Sequence, residues 1–237
     1  MQQPPPDWEQ VLSSAARLQR ILPDAVLVGG TASAIHAGHR TSRDADHVLT
    51  DLRHRFDEVL AQLESVAGWK TARVQRPVQI LGSLDGIETG VRQLIRNEPL
   101  ETTTMDFQGA QITIPTQAEI LRIKGVLILR RNATRDYLDF IALADRLGDD
   151  GVTAALRTFD RLYRQAGGES PLQQLLAQLA NPLPYDLEET NLSEYKNLDP
   201  RWHDWKTVKV NCSRLAVEVF DKICEIEKQK EGKGKRQ

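Results

Sequence analysis

Residues 26–48 read VLVGGTASAIHAGHRTSRDADHV, and this segment constrains the fold more than any other part of the chain. The apolar run Ala25–Val28 predicts a short strand that ends in the pair Gly29-Gly30. A small-residue helix is expected over Thr31–Ala37, closed by Gly38, and a second strand over Asp44–Leu49. A glycine pair at such a turn lets the backbone approach a ligand with no Cβ in the way. The helix that follows offers unpaired N–H groups and the positive end of its dipole, which suit a phosphate. Thr31 would add a hydroxyl at the same place.

Thirteen residues separate Gly30 from Asp44, and Asp46 lies two positions further along. Residues i and i+2 of a strand point to one face, so the two carboxylates are predicted side by side. Paired carboxylates repel each other unless a cation sits between them. Hard oxygen ligands of this kind favour Mg²⁺ (or Mn²⁺), which keeps few protein carboxylates and fills its shell with phosphate and water. A metal pair so held can activate a hydroxyl and stabilise a departing pyrophosphate. Arg40 and Arg43 flank the turn and the acids, placed either for phosphate binding or for pairing with acidic neighbours.

Upstream, apolar spacing predicts a helix over Trp8–Leu22, stopped by Pro23. Downstream comes an amphipathic helix over Arg53–Ala67, with Phe56, Val59, Leu60, Leu63 and Val66 on one side. Strands are expected over Lys70–Val74, Val78–Leu81, Ile87–Ile95 and Gln111–Ile114. After Pro115 the pattern turns helical: Gln117–Arg131, Arg135–Leu147, Val152–Gln165, Leu172–Leu179 and Thr207–Lys228. The fold class expected is therefore α+β: a mixed β-sheet with flanking helices over residues 1–115, then a helical domain over 116–237.

Charge and composition bound the partners. With 31 basic and 33 acidic residues, the net charge of −2 argues against a chain devoted to non-specific polyphosphate binding. Aromatics at 5% rule out widespread base stacking. No apolar run approaches a membrane span, and the proline-rich start Met1–Asp7 does not read as a signal peptide, so a cytoplasmic protein is expected. The basic tail from Glu231 reads as a frayed end. Cys212 and Cys224 make neither a metal spacing nor a disulfide framework. His36, His39 and His47 are spread over a helix, a turn and a strand and lack a compact ligand spacing. Trp202 and Trp205 are expected to pack between helices.

With these motifs in place, the chain resembles the nucleotidyltransferase superfamily: an apolar strand, Gly-Gly, a short helix, then Asp-x-Asp. More closely it resembles the AbiEii/AbiGii toxin-type nucleotidyltransferases. The likeness rests on Gly29-Gly30-Thr31-Ala32, the link His36, His39, Arg40, Ser42 and Arg43, then Asp44-x-Asp46. Lys124 with Arg130 and Arg131 follows, then Arg135-Asp136-Tyr137-Leu138-Asp139. It covers about residues 20–148. The resemblance implies a nucleotidyltransferase-like sheet and transfer of a nucleoside monophosphate from an NTP to an acceptor hydroxyl. It also implies a toxin of a toxin–antitoxin or phage-defence pair, with RNA such as tRNA as acceptor and a cognate antitoxin as partner.

Residue by residue, the resemblance gives Asp44 and Asp46 the metal. Gly29, Gly30, Thr31 and Arg43 take the nucleotide, Lys124 its phosphates, and Asp136 orients Lys124 or helps activate the acceptor. The superfamily's third carboxylate is assigned to Glu88, with Asp85 and Asp106 behind it. Lys124 falls near the apolar side of its helix, where a lysine needs a partner or a site. An RNA footprint is expected on Arg122, Lys124, Arg130, Arg131 and Arg135. The alternatives are a small-molecule or protein acceptor, or a non-catalytic protein-binding module that keeps the fold.

Overall fold

The computed structural model describes residues 7–234. The chain divides into two compact units between Thr116 and Gln117. In the first, α1 (Trp8–Ile21) precedes β1 (Val26–Leu27), α2 (Gly29–Ala37), β2 (Asp44–Leu49) and α3 (Phe56–Glu64). Strands β3 (Trp69–Gln75), β4 (Gln79–Leu84), β5 (Ile87–Gln93), β6 (Thr102–Phe107) and β7 (Ala110–Pro115) complete it.

Five strands form one mixed sheet in the order β1-β2-β5-β4-β3, and β6 and β7 form a separate ribbon. Strands β2 and β5 run parallel, with Asp44 opposite Glu88 and Asp46 opposite Gly90. The other pairs in the sheet are antiparallel. Burial alternates along β2, so Ala45, His47 and Leu49 face the interior while Asp44, Asp46 and Val48 are half-buried on the other face. On the interior side, Leu49, Ile80, Leu84 and Val91 pack with α1 and α3 through Leu18, Leu22, Phe56, Val59 and Leu63. A second cluster joins Ala45 and Ile87 to Val11, Leu12 and Ala15 of α1 and to Ile112 and Ile114 of the ribbon. Thus one sheet face is anchored by apolar burial and the other is left for polar work.

The second unit is helical: α4 (Gln117–Arg131), α5 (Thr134–Leu156), α6 (Phe159–Leu162), α7 (Pro171–Ala180) and α8 (Trp205–Gly234), with two short 3₁₀ turns before α8. Its core includes Tyr137, Phe140, Phe159 and Leu175, all at most 1% exposed. Trp202 is buried, and Trp205 meets Tyr137 edge-on at 6.0 Å, in keeping with packing rather than an open groove.

The α+β architecture followed by helices is as expected, with four local differences. Strand β6 was not anticipated, because its threonine-rich run Thr102–Thr104 is solvent-exposed and lacks apolar alternation. Helix α5 continues past Leu147 to Leu156, although Gly148 interrupts it with φ 69°. Helix α2 begins at the glycine pair itself. Helix α8 reaches Gly234, so residues from Glu231 to there are helical rather than frayed, and the last three residues and Met1–Pro6 lie outside the described residues.

Candidate active site

The glycine turn is built onto the strand that carries the acids. Val28 is extended, and its N–H donates to the Asp46 carbonyl at 2.8 Å. Gly29 then takes φ +73°, a left-handed conformation that a side chain disfavours, and the chain enters α2. The Thr31 hydroxyl donates to the Asp44 carbonyl, and the Ser33 hydroxyl donates to the Gly29 carbonyl at 3.0 Å. These bonds fix the first turn of α2, whose leading N–H groups have no partner within the helix, against β2.

Asp46 projects to this turn. Its Oδ2 lies 3.8 Å from where a Cβ on Gly29 would stand, and its Oδ1 lies 3.5 Å from the corresponding point on Gly90. Glycine on both flanks keeps that carboxylate open. Asp44 reaches the same place through Ser42, whose hydroxyl donates to Asp44 Oδ1 at 2.6 Å. Ser42 Oγ in turn lies 2.9 Å, and Arg40 Nη2 2.7 Å, from the point a Gly30 Cβ would occupy. A side chain at residue 30 would therefore displace both groups. Asp44 and Asp46 are both half-buried, with 27% of the Asp46 side chain exposed. Arg92 on β5 holds its guanidinium 3.8 Å from Asp46 Oδ1 and is itself 43% exposed.

The structure thus brings Gly29, Gly30, Asp44 and Asp46 together. Arg43 is exposed beside Asp44. Thr31 departs from expectation: it is fully buried and its hydroxyl is engaged by the Asp44 carbonyl, so it positions the strand instead of meeting a phosphate. Glu88 stands in register with Asp44 on the neighbouring strand and is exposed. Among the described residues, however, no three His, Cys, Asp or Glu side chains converge as a metal-holding group, so Glu88 does not close a three-carboxylate set here. The reserve choices are engaged elsewhere. Asp85 pairs with Arg17, and Asp106 accepts from the Gly109 N–H and the Gln111 amide in the ribbon. Arg92, Gly90 and Ser42 acquire their positions from register and turn geometry. A strand period that puts 88, 90 and 92 on one face was the only sequence signal for the first two.

Lys124, Asp136 and Asp139 belong to the helical unit, and their environment departs from the expectation of a phosphate ligand. Lys124 is 1% exposed, with Nζ 2.7 Å from Asp139 and 3.5 Å from Asp136, both fully buried. Arg131 grips Asp136 with two nitrogens, its Nη2 at 2.7 Å. Two cations and two carboxylates neutralise each other, and a lysine so placed has no charge left over for a ligand. Arg122 is likewise buried, 2.9 Å from Glu119. Of the expected basic footprint, only Arg130 and Arg135 are exposed and make no ion pair with a described residue.

Comparison with known proteins gives partial guidance. No family model matches the chain. The heme uptake protein MmpL11 of Mycobacterium tuberculosis is 31% identical over 92% of this chain, and the mycolic acid-containing lipids exporter MmpL11 of Mycolicibacterium smegmatis 28% identical over 91%. The chain spans 23% and 22% of the length of those relatives. Among solved structures, the antibiotic-resistance factor ANT(2'')-Ia is similar at TM-score 0.49 and 12% identity, covering 65% of this chain and 91% of its own. An antigenic nucleotidyltransferase-like protein from Paracoccidioides brasiliensis is similar at TM-score 0.46 and 19% identity, covering 65% and 87%. Similarity at this level carries no weight on activity, which is left to the geometry of the site. No described helix is long and apolar enough to cross a membrane.

Proposed function

We propose that the N-terminal unit is a divalent-metal-dependent nucleotidyltransferase that moves a nucleoside monophosphate from an NTP to an acceptor hydroxyl and releases pyrophosphate. One observation carries the reading: two half-buried carboxylates, Asp44 and Asp46, share a strand face beside a glycine turn that opens a helix. The donor set is all oxygen, as Mg²⁺ or Mn²⁺ requires. Bound there, such a cation would polarise the phosphates and stabilise charge on the leaving pyrophosphate.

The chain's own residues supply the rest. Asp44 and Asp46 would hold the metal. The N–H groups at Gly29 and Gly30 would receive phosphate oxygens, with the first-turn dipole of α2 favouring negative charge there. Thr31, Ser33 and Ser42 fix the turn and the Asp44 carboxylate before substrate arrives, so little reorganisation is needed at the moment of transfer. Arg92, beside Asp46 and open to solvent, would swing its guanidinium to a phosphate oxygen as the metal takes the carboxylate. Arg43 is reserved for the nucleotide, and Glu88 for a supporting acidic role across from Asp44.

The finer reading is a toxin of a toxin–antitoxin or phage-defence pair acting on RNA such as tRNA, checked by a cognate antitoxin. It rests on the resemblance to AbiEii/AbiGii-type enzymes. One surface supports an RNA acceptor. Tyr185 is 75% exposed, and its N–H donates to the Asn132 carbonyl at 3.0 Å, while Asn132 donates to the Leu183 carbonyl at 2.8 Å. Asp186 caps α5 through Thr134, so this exposed ring sits on a braced loop near Arg130 and Arg135 in sequence and hydrogen bonding. Arginine beside an open aromatic ring suits an unpaired nucleotide.

Incubating the protein with labelled NTPs, Mg²⁺ and either total tRNA or cell extract tests both levels. Label on RNA supports the RNA reading, and label only on small molecules or proteins moves the acceptor to those classes. Calorimetry that finds equal Mg²⁺-dependent NTP binding in wild type and Asp44→Ala/Asp46→Ala would instead favour the non-catalytic binding module.

A further inference from the structure

A second polar cleft lies in the same unit, at the C-terminal ends of the parallel strands β2 and β5. It encloses about 240 Å³ and is lined by Thr50, Arg53, His54, Gln93, Arg96 and Asn97 together with two apolar residues, and no carboxylate lines it. Gln93 staples the two strand ends. Its amide nitrogen donates to the Thr50 carbonyl at 2.7 Å and to the Leu94 carbonyl at 3.1 Å, and its oxygen accepts from the Arg53 N–H at 2.9 Å. Leu94 N–H closes the junction onto the Leu49 carbonyl at 2.8 Å.

The cationic groups of this cleft fall into two kinds. Arg96 is 9% exposed, and its guanidinium is held flat against its own loop by the Glu98 and Pro99 carbonyls at 2.9 and 2.8 Å. Carbonyls orient that charge without cancelling it. Arg53 and His54 are exposed and make no ion pair with a described residue. The nearest acid in sequence, Asp51, is taken by Arg55 at 3.0 Å. A basic cleft on a stapled turn, with hydroxyl and amide groups beside it and no counter-charge in its wall, is suited to a tetrahedral oxyanion.

We propose that this cleft binds a phosphate group, as a site separate from the Asp44/Asp46 centre. Thr50 lies four residues beyond Asp46 on the same strand, roughly 13 Å away at the usual rise per residue. That spacing leaves the two sites distinct. The phosphate comes either as a free or mononucleotide phosphate or as part of a nucleic-acid backbone, and the site chemistry is the same for both.

The test is a titration of the full chain, followed through its amide NMR signals at constant ionic strength in chloride. Inorganic phosphate should shift the signals of residues 50–54 and 93–97 saturably. Arg53→Glu should weaken that binding by roughly tenfold or more, since a charge-assisted hydrogen bond contributes about 1.5–3 kcal/mol. His54→Gln gives a second, milder loss, and thermal melting verifies that both variants fold. The shifts should persist in Asp44→Asn/Asp46→Asn, which separates this site from the nucleotidyl-transfer reading. A short single-stranded oligonucleotide that competes at least tenfold better than phosphate assigns the site to a nucleic-acid backbone, and equal affinity assigns it to free or mononucleotide phosphate. Absence of saturable shifts at these residues, or equal affinity in a folded Arg53→Glu protein, overturns the proposal.

Discussion

Two pairs of aspartates, one in each unit, meet opposite fates. On β2, Asp44 and Asp46 stay half-exposed, with a serine hydroxyl on one and a solvent-reachable arginine 3.8 Å from the other. On α5, Asp136 and Asp139 are fully buried and closed off by Lys124 and Arg131. Neither the residue type nor the spacing differs enough to foretell this. What differs is the supply of counter-charge. A buried carboxylate must be neutralised within the fold, because desolvation costs several kcal/mol per ion. A half-exposed one, kept open by glycines, can leave part of that task to a cation from solution. The first arrangement holds helices together, and the second is available for chemistry.

The comparison breaks most sharply at the strand pair. Asp44→Asn/Asp46→Asn should cut nucleotidyl transfer by at least ~10³-fold, on the scale of removing the charge stabilisation of a transition state, while changing the melting temperature little. A variant that kept its rate in a labelled-NTP assay would remove the catalytic half of the contrast.

At the helix pair the consequence should be structural. Lys124→Met leaves Asp139 without its ammonium partner and should cost about 3–5 kcal/mol in urea unfolding. Replacing both, as Lys124→Met/Asp139→Leu, should recover much of that loss, because an apolar pair of similar volume needs no counter-charge. If the single variant unfolded at the wild-type midpoint, the quartet would not be a stabilising unit.

His47 sharpens the contrast within β2 itself, since it follows Asp46 but faces the interior. Burial pushes its imidazole down from the ordinary 6.5 to about 3. The unfolded chain therefore takes up a proton near pH 6.5 that the folded chain refuses until about pH 3, so stability falls as pH drops through that window. His47→Leu should flatten this acid-side slope, read from denaturation midpoints between those limits. An unchanged slope would assign the acid sensitivity to other groups.

The smallest effect is expected at Thr31. Thr31→Val keeps the shape but loses the hydroxyl bond to the Asp44 carbonyl, for about 1 kcal/mol of stability. Its effect on transfer should appear in kcat with KM for the NTP nearly unchanged, as for a residue that positions the metal ligand. A raised KM alone would return Thr31 to the phosphate-binding role expected from the sequence.

Much of this was legible in the residues. The glycine pair and the i, i+2 acids required a turn and a shared strand face, and β2 and α4 begin and end where periodicity placed them. Strand β6 escaped because exposure removed the apolar alternation that betrays a strand. Lys124 showed its closeness to an apolar face in sequence, but its partners, twelve and fifteen residues on, depend on how α4 and α5 pack. Arg92 was silent, because nothing local tells which residue on β5 will stand beside Asp46.

Local chemistry, then, is what the sequence alone determined: where backbone must bend left-handed, which side chains fall on one face, and which groups can carry charge. Only the tertiary structure decided which charges are left for solvent and ligand. That choice depends on burial and on partners far along the chain, and the cost of an unpaired charge in the interior enforces it.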